Sequence, residues 1–171
     1  GHYFETGWDG WSDGGGDCFR YKGNMSAEGQ YSIRLRNHSS ESSTMTSESF
    51  DLSTFRGAEI KFQFRANQME KGEHFRLEYF NGDTWYVAAT FTSGDHFINE
   101  DLYAATVILS GPFGNDVKFR FQSNASDKDD NIFIDAVIVS GIQDNNQSNN
   151  SVTVTKTDDF KVVTSRDLSN N

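Results

Sequence analysis

Apolar and polar residues alternate one by one along several stretches of this chain, and this alternation limits the fold more than any other feature. In one stretch Tyr31, Ile33 and Leu35 alternate with polar residues. The same spacing recurs further on, with the apolar members Ile60, Phe62 and Phe64, then Phe75, Leu77 and Tyr79, then Val117, Phe119 and Phe121. Because successive side chains of a β-strand point to opposite faces, the alternation predicts strands with one buried face.

Turn residues and further β-prone segments extend this pattern. The turn sequence at 81–83 separates the strand of Phe75 from a β-prone segment at 85–91, which predicts a hairpin. The segment 132–139 is apolar on both faces except for Asp135, as expected of a central strand. Strands are also predicted at 44–52 and 102–109, and no stretch carries a helical apolar stripe. The chain is therefore predicted to be all-β, with two antiparallel sheets packed as a sandwich.

The length of 171 residues suits one domain and a tail, and the core must stabilise it without disulfides. Cys18 is the only cysteine, so no intrachain disulfide forms, and we expect it to be buried. The sandwich is predicted to cover residues 1–141, followed by an Asn-rich linker at 142–150. Residues 151–171 are interpreted as an added strand, the start of a following module, or a tail that docks on a protein partner.

The net charge of −10 argues against nucleic acid or an anionic membrane surface as a partner, because the field of the protein repels polyanions. No stretch has the roughly 20 apolar residues of a membrane span, so we expect no membrane insertion.

Basic residues nevertheless recur at the outward positions of the predicted strands. They are Arg34, Arg36, Lys61, Arg65, Arg76, Lys118 and Arg120. Guanidinium groups bind carboxylate and sulfate as planar forks, and Trp85 and Tyr86 lie near as stacking platforms. The predicted ligand site is therefore Arg34, Arg76, Trp85, Tyr86 and Arg120. The predicted ligand is a polysaccharide or glycan, and the guanidinium groups favour an acidic one. The alternative is that these cations form ordinary cross-strand ion pairs with Glu59, Glu73 and Glu78.

The opening segment at 4–18, with Trp8 and Trp11 around glycine-rich turns, resembles the start of jelly-roll modules appended to secreted proteases and glycosidases of Bacteroidetes. The segments 31–36, 45–52, 118–121 and 132–137 follow in matching order, so the likeness covers residues 3–141. More distantly, the chain resembles meprin-type adhesion (MAM) domains and calcium-bearing carbohydrate-binding modules. The resemblance implies a jelly-roll sandwich, secreted or at the cell surface, whose function must be argued from its sites.

A buried carboxylate in the last strong strand needs a cation or several hydrogen-bond donors, and Asp135 is such a residue. In the resembling folds, an acid near the first strand and one in the last strand share a structural calcium ion, which implies Glu5 and Asp135 here. Asp17 is a third predicted ligand, and oxygen ligands suit Ca²⁺. The alternative is a carboxylate held by hydrogen bonds alone.

Other motifs predict little chemistry. The acidic run at 127–131 lacks the glycine and glutamate of an EF-hand and is interpreted as a solvated turn. Trp8 and Trp11 are expected to cover the end of the core. The four histidines show no spacing typical of zinc or acid–base sites, so we expect no enzyme. The leading hypothesis is a noncatalytic carbohydrate-binding accessory domain with a structural calcium; the alternatives are an adhesion domain and a jelly-roll hydrolase or lyase.

Overall fold

A computed structural model describes residues 1–143 and 149–157 of the chain. Its strands are β1 Trp11–Asp13, β2 Cys18–Lys22, β3 Tyr31–Arg36, β4 Thr44–Ser47, β5 Gly57–Asn67, β6 His74–Asn81, β7 Trp85–Thr92, β8 Leu102–Ser110, β9 Val117–Asn124, β10 Asn131–Ile142 and β11 Ser151–Thr157. A single turn of 3-10 helix, Ser40–Ser43, precedes β4. In the described ranges, no helix has the length and hydropathy of a membrane-spanning segment.

The strands form two antiparallel sheets that pack face to face. The front sheet has the order β1-β4-β9-β6-β7, and the back sheet has the order β11-β8-β5-β10-β3-β2. This is the all-β, two-sheet jelly-roll sandwich that the alternation and the resemblance predicted. As predicted, β10 is central, because it pairs with β5 on one side and β3 on the other.

Aromatic residues from both sheets meet in the core. The Phe62 ring of β5 lies 4.8 Å from that of Phe121 on β9 and 5.5 Å from that of Phe91 on β7, centroid to centroid. Phe64 of β5 lies 4.9 Å from Phe75 of β6. These edge-to-face contacts bury the inward side chains of both sheets, as the alternation predicted.

Two predicted strands differ from the structure at their ends. The strand predicted at 44–52 ends at Ser47, because the chain leaves the ladder at Glu48 and rejoins β9 only through an isolated bridge between Phe50 and Val117. The strand predicted to end at Val139 continues to Ile142 along β5.

The segment Ser151–Thr157 forms β11, which pairs with β8 along the edge of the back sheet. Most of the predicted linker, at 144–148, and the end of the tail, at 158–171, lie outside the described residues. The division into sandwich, linker and tail therefore stays a prediction.

We predict that Phe62→Ala lowers the free energy of unfolding by about 3–5 kcal/mol, because it leaves a cavity among rings from both sheets. Equilibrium urea denaturation measures the change. Val87→Ala is the control, since Val87 is 54% exposed and the expected change is within about 0.5 kcal/mol. A loss below about 1 kcal/mol for Phe62→Ala would contradict the described core.

Candidate functional site

The basic residues predicted to form one strip are divided between the two outer surfaces of the sandwich. Arg76, Lys118 and Arg120 lie on the front sheet, in β6 and β9. Arg34, Arg36, Lys61 and Arg65 lie on the back sheet, in β3 and β5. The core separates these surfaces, so Arg34 and Arg76 cannot contact one ligand unit together. The single strip predicted from the sequence was wrong in this respect.

The outer surface of the front sheet carries a compact set of ionic and aromatic side chains, which we name the Trp85 face. Its members are Arg76, Glu78, Phe80, Trp85, Lys118 and Arg120. Strand register brings them together: Glu78 pairs with Arg120, and Phe80 pairs with Lys118 on one side and Trp85 on the other.

Glu78 organises the cations of the Trp85 face. The residue is 5% exposed, although its side chain points away from the core. The Arg120 Nε donates to Glu78 Oε1 at 2.6 Å, and the Arg76 Nη2 lies 3.4 Å from Glu78 Oε2. Two guanidinium groups thus share one carboxylate, which holds their planes in defined positions and leaves the face with more cations than anions.

Aromatic rings lie beside these ions. The guanidinium carbon of Arg120 lies 4.0 Å from the centroid of the Trp85 ring, and the Lys118 Nζ lies 5.5 Å from that of Phe80. The rings of Phe80 and Trp85 lie 5.5 Å apart. All four side chains are partly exposed. Each ring thus lies against a cation, and the cation–π attraction favours one orientation of the ring and of the cation.

Tyr86 does not belong to the Trp85 face, because adjacent residues of a strand point to opposite sides. Its ring stacks on that of Tyr79 at 5.3 Å, on the side of the sheet that faces the core. Tyr86 is 45% exposed there, at the edge of the sandwich. The prediction that Trp85 and Tyr86 form neighbouring platforms was therefore wrong in its geometry.

Glu78 and Phe80 were missed as site residues. Glu78 was assigned to surface ion pairing, and its burial comes from two arginines on different strands, which no local pattern reveals. Phe80 carried a signal, because it follows the inward Tyr79 directly and so had to lie on the outer side.

Asp135 is buried on the outer side of the back sheet, beneath the loop that joins β2 and β3. It is 1% exposed, and its Oδ2 accepts hydrogen bonds from the backbone N–H groups of Ala27 and Glu28, both at 2.9 Å. Its Oδ1 accepts from the N–H of Ala136 at 2.7 Å. Burial raises the pKa of Asp135 to about 6, against the opposing effect of these bonds, and the charge of Glu5 adds to the rise.

Glu5 lies against the same loop. Its Oε1 accepts from the backbone N–H of Tyr31 at 2.8 Å, and both carboxylate oxygens lie 3.1 Å from the N–H of Gln30. The loop between β2 and β3 thus contacts both of the carboxylates that the resemblance implied as partners. The atoms that these carboxylates could offer to a metal ion are oxygens, which suit calcium.

Asp17 lies apart from this pair. It precedes Cys18, which pairs with Leu35, at the opposite end of β3 from the loop that holds Glu5. The Arg36 Nε donates to Asp17 Oδ1 at 2.9 Å, and the Ser39 hydroxyl donates to Oδ2. Across residues 1–143 and 149–157, no group of three or more histidine, cysteine or acidic side chains is placed to hold a metal ion. The three-carboxylate set of Glu5, Asp17 and Asp135 is therefore not assembled.

Trp11 is 4% exposed and packs on Phe121, and Trp8 packs partly buried on the core, as predicted. Cys18 is buried, as predicted, and burial raises the pKa of its thiol to about 12. The acidic turn is less solvated than predicted, because Asp130 is 6% exposed and accepts a hydrogen bond from the N–H of Asp127.

No protein-family model matches the sequence, and a search of curated proteins finds no match. The fold is similar to solved structures. The xylan-binding domain CBM22-1 of Paenibacillus barcinonensis Xyn10C shares 14% identity at a TM-score of 0.61, covering 84% of this chain and 93% of that domain. A family 16 carbohydrate-binding module shares 17% identity at a TM-score of 0.57, covering 81% and 96%.

A third similar structure is the K2 cleaved adhesin domain of Lys-gingipain, with 13% identity, a TM-score of 0.52, and coverage of 81% of this chain and 96% of that domain. At these identities the comparisons show a shared jelly-roll fold. The functional argument therefore depends on the geometry of the sites in this chain.

We predict a pH-dependent contribution of Asp17 to stability. The hydroxyl of Ser39 lowers the pKa of Asp17, with a further contribution from Arg36. A carboxylate with a lowered pKa stabilises the folded state above its unfolded pKa, and this contribution is lost as the pH falls through the folded pKa. Asp17→Asn should therefore cost about 1 kcal/mol at pH 7, and the difference should shrink below pH ~4.

Urea denaturation of both proteins across this pH range measures the effect. Asp95→Asn is the control, because Asp95 is exposed in the turn after β7. A difference between wild type and Asp17→Asn that stays constant down to pH ~2.5 would contradict the assignment.

Proposed function

We propose that this domain is a noncatalytic carbohydrate-binding module that binds a polysaccharide across the Trp85 face. The observation that carries the proposal is the juxtaposition of two partly exposed aromatic rings, Phe80 and Trp85, with guanidinium groups held by a shared buried Glu78. A sugar unit has apolar C–H surfaces and a rim of hydroxyls, so a ligand of this class uses rings and fixed polar groups together.

The charge of the face favours an acidic polysaccharide. Arg76, Lys118 and Arg120 contribute three cations, and Glu78 contributes one carboxylate. The protein as a whole carries a net charge of −10, so the local charge of this face is opposite in sign to the net charge. A uronate or sulfate group on the ligand would approach the guanidinium edges directed away from Glu78.

The same geometry supports binding without catalysis. Both carboxylate oxygens of Glu78 face guanidinium groups, at 2.6 Å and 3.4 Å. Both oxygens are thus engaged in ion pairs, and Glu78 holds the two arginines in place. The polar groups of the Trp85 face therefore serve to position a ligand.

Secretion and an accessory role in a larger protein belong to the same proposal. They are supported by the resemblance of residues 3–141 to modules of secreted bacterial enzymes and by the carbohydrate-binding and adhesin domains of similar fold. The protein partner expected at the C-terminal tail stays a prediction, because residues 158–171 lie outside the described part of the chain.

We predict that Trp85→Ala weakens polysaccharide binding at least tenfold, about 1.4 kcal/mol, because it removes the ring that Arg120 holds in place. An array of neutral and acidic polysaccharides selects the ligand, and isothermal titration calorimetry measures its Kd. Tyr86→Ala is a closely matched control: Tyr86 is the adjacent, exposed aromatic residue on the other side of the strand, so the expected change is below about twofold. Failure of every polysaccharide to bind, or equal Kd values for Trp85→Ala and wild type, would refute the proposal.

We also propose that Glu5 and Asp135 contribute to a structural calcium site beside the loop between β2 and β3. The support is the donor set, two carboxylates bridged by one loop, and the cost of keeping Asp135 ionised while buried near Glu5. Backbone carbonyls and water would complete the six to eight oxygens that calcium takes. The ion would fix the N-terminal segment and this loop to the central strand β10.

We predict that the wild-type protein melts about 5–10 °C higher in millimolar calcium than in chelator, for a free calcium concentration about a hundred times the Kd. Differential scanning calorimetry measures the shift. Asp135→Asn should abolish the response, whereas Asp17→Asn should keep it, because the structure separates Asp17 from the pair. Identical melting curves with calcium and with chelator would remove calcium from the proposal.

A further inference from the structure

A pocket lies on the outer surface of the back sheet, on the opposite side of the sandwich from the Trp85 face. Its volume is about 350 Å³, and we name it the Arg34 pocket. The residues of its lining that concern a ligand are Tyr21, Arg34, Asn67, Glu100, Asn131 and Phe133. Arg34 was predicted to bind a ligand, yet the Trp85 face leaves it unused.

The floor of the Arg34 pocket comes from three neighbouring strands, β3, β10 and β5. Phe133 of β10 pairs with Arg34 of β3, and in the next row Asn131 pairs with Asn67 of β5. The ring of Tyr21 packs edge to face on the ring of Phe133, with 4.9 Å between the ring centroids, and forms one wall of the pocket. From β3 to β5 the pocket spans two strand spacings, roughly 10 Å, which is wide enough for one sugar unit with polar groups at each end.

Asn131 provides a hydrogen-bond acceptor at the floor of the pocket. It is 7% exposed, and its Nδ2 donates to the backbone carbonyl of Asp129 at 2.7 Å. Among the described residues, nothing donates to its buried Oδ1. A buried acceptor without a donor is costly, and a hydroxyl group entering the pocket would satisfy it.

Arg34 provides a cation at one end of the pocket. Its guanidinium carbon lies 3.7 Å from the centroid of the Phe19 ring, which fixes the plane of the group. Its Nε is buried and has no hydrogen-bond partner in the described part of the chain. Burial lowers the pKa of Arg34, and the charge of Arg36 adds to this effect. The site thus holds a partly buried guanidinium whose neighbours on β3 do not neutralise it.

Glu100 and Asn67 form the opposite end of the pocket. The Asn67 Nδ2 donates to Glu100 Oε1 at 2.5 Å, so this end presents a carboxylate and an amide. A ligand with its anion at Arg34 would direct hydroxyl groups toward Asn131 and Glu100. Charge thus orients a ligand of this kind in one direction along the pocket.

We propose that the Arg34 pocket binds one acidic sugar unit, with its carboxylate at the Arg34 guanidinium and a hydroxyl donating to the Asn131 Oδ1. This site is independent of the Trp85 face, because the core lies between them. A chain bearing both sites would engage two segments of an acidic polysaccharide, or two chains, which strengthens attachment without any new contact on either face.

The test is a titration of the ¹⁵N-labelled protein with trigalacturonate, followed by two-dimensional NMR, with trigalacturonate methyl ester as the neutral control. The expected result is movement of the Asn131 side-chain and Phe133 backbone signals, in wild type and in Trp85→Ala alike. The ester should bind the wild-type protein at least tenfold more weakly than the acid does, because it lacks the carboxylate. Arg34→Lys should bind the acid at least tenfold more weakly than wild type does, because it lacks the planar guanidinium.

The outcomes separate the two sites. If the Asn131 signals stay in place up to about 10 mM trigalacturonate, or if acid and ester bind equally, the proposal fails. Movement of signals near Trp85 alone would overturn this proposal while supporting the Trp85 face. Movement of signals near Asn131 alone would support the Arg34 pocket and count against the Trp85 face. The comparison of acid with ester in the wild-type protein decides the question even if Arg34→Lys does not fold.

Discussion

The contact of Phe62 with Phe91 and Phe121 across the two sheets is the interaction on which the rest of the structure depends. Each sheet has one apolar face, and neither can leave that face in water without losing the largest favourable contribution to folding. Once the two faces are joined, the opposite surfaces of both sheets are available for polar side chains. Both proposed ligand sites lie on these outer surfaces.

A buried carboxylate lies in a proposed site on each surface, and the two are compensated in different ways. Glu78 on the front sheet is held by the guanidinium groups of Arg76 and Arg120. Asp135 on the back sheet is held by backbone N–H groups, among them those of Ala27 and Glu28. Burying an ion without such partners costs several kcal/mol, so these networks are also rigid elements of the structure. Rigid polar groups are what a binding surface requires, because they lose little entropy when a ligand arrives.

The sequence predicted the strands well, and it predicted how the candidate site residues are placed only in part. Alternation identified the inward residues of β5, β6 and β9, and it correctly directed Arg76 and Arg120 outward. It could not tell that Arg34 and Arg76 belong to different sheets, because a period of two residues gives a side relative to one strand only. The assignment of strands to sheets depends on pairings between distant segments, such as β9 with β6.

The sequence by itself determined that this chain is all-β with one apolar side to each strand, which two packed sheets can bury together. It also marked Asp135 as a carboxylate in need of partners. Only the tertiary structure decided which partners are present: it placed Glu5 beside Asp135 and kept Asp17 with Arg36. The physical reason is that side-chain direction is a local property of a strand, whereas the meeting of charges depends on how the whole chain crosses from one sheet to the other.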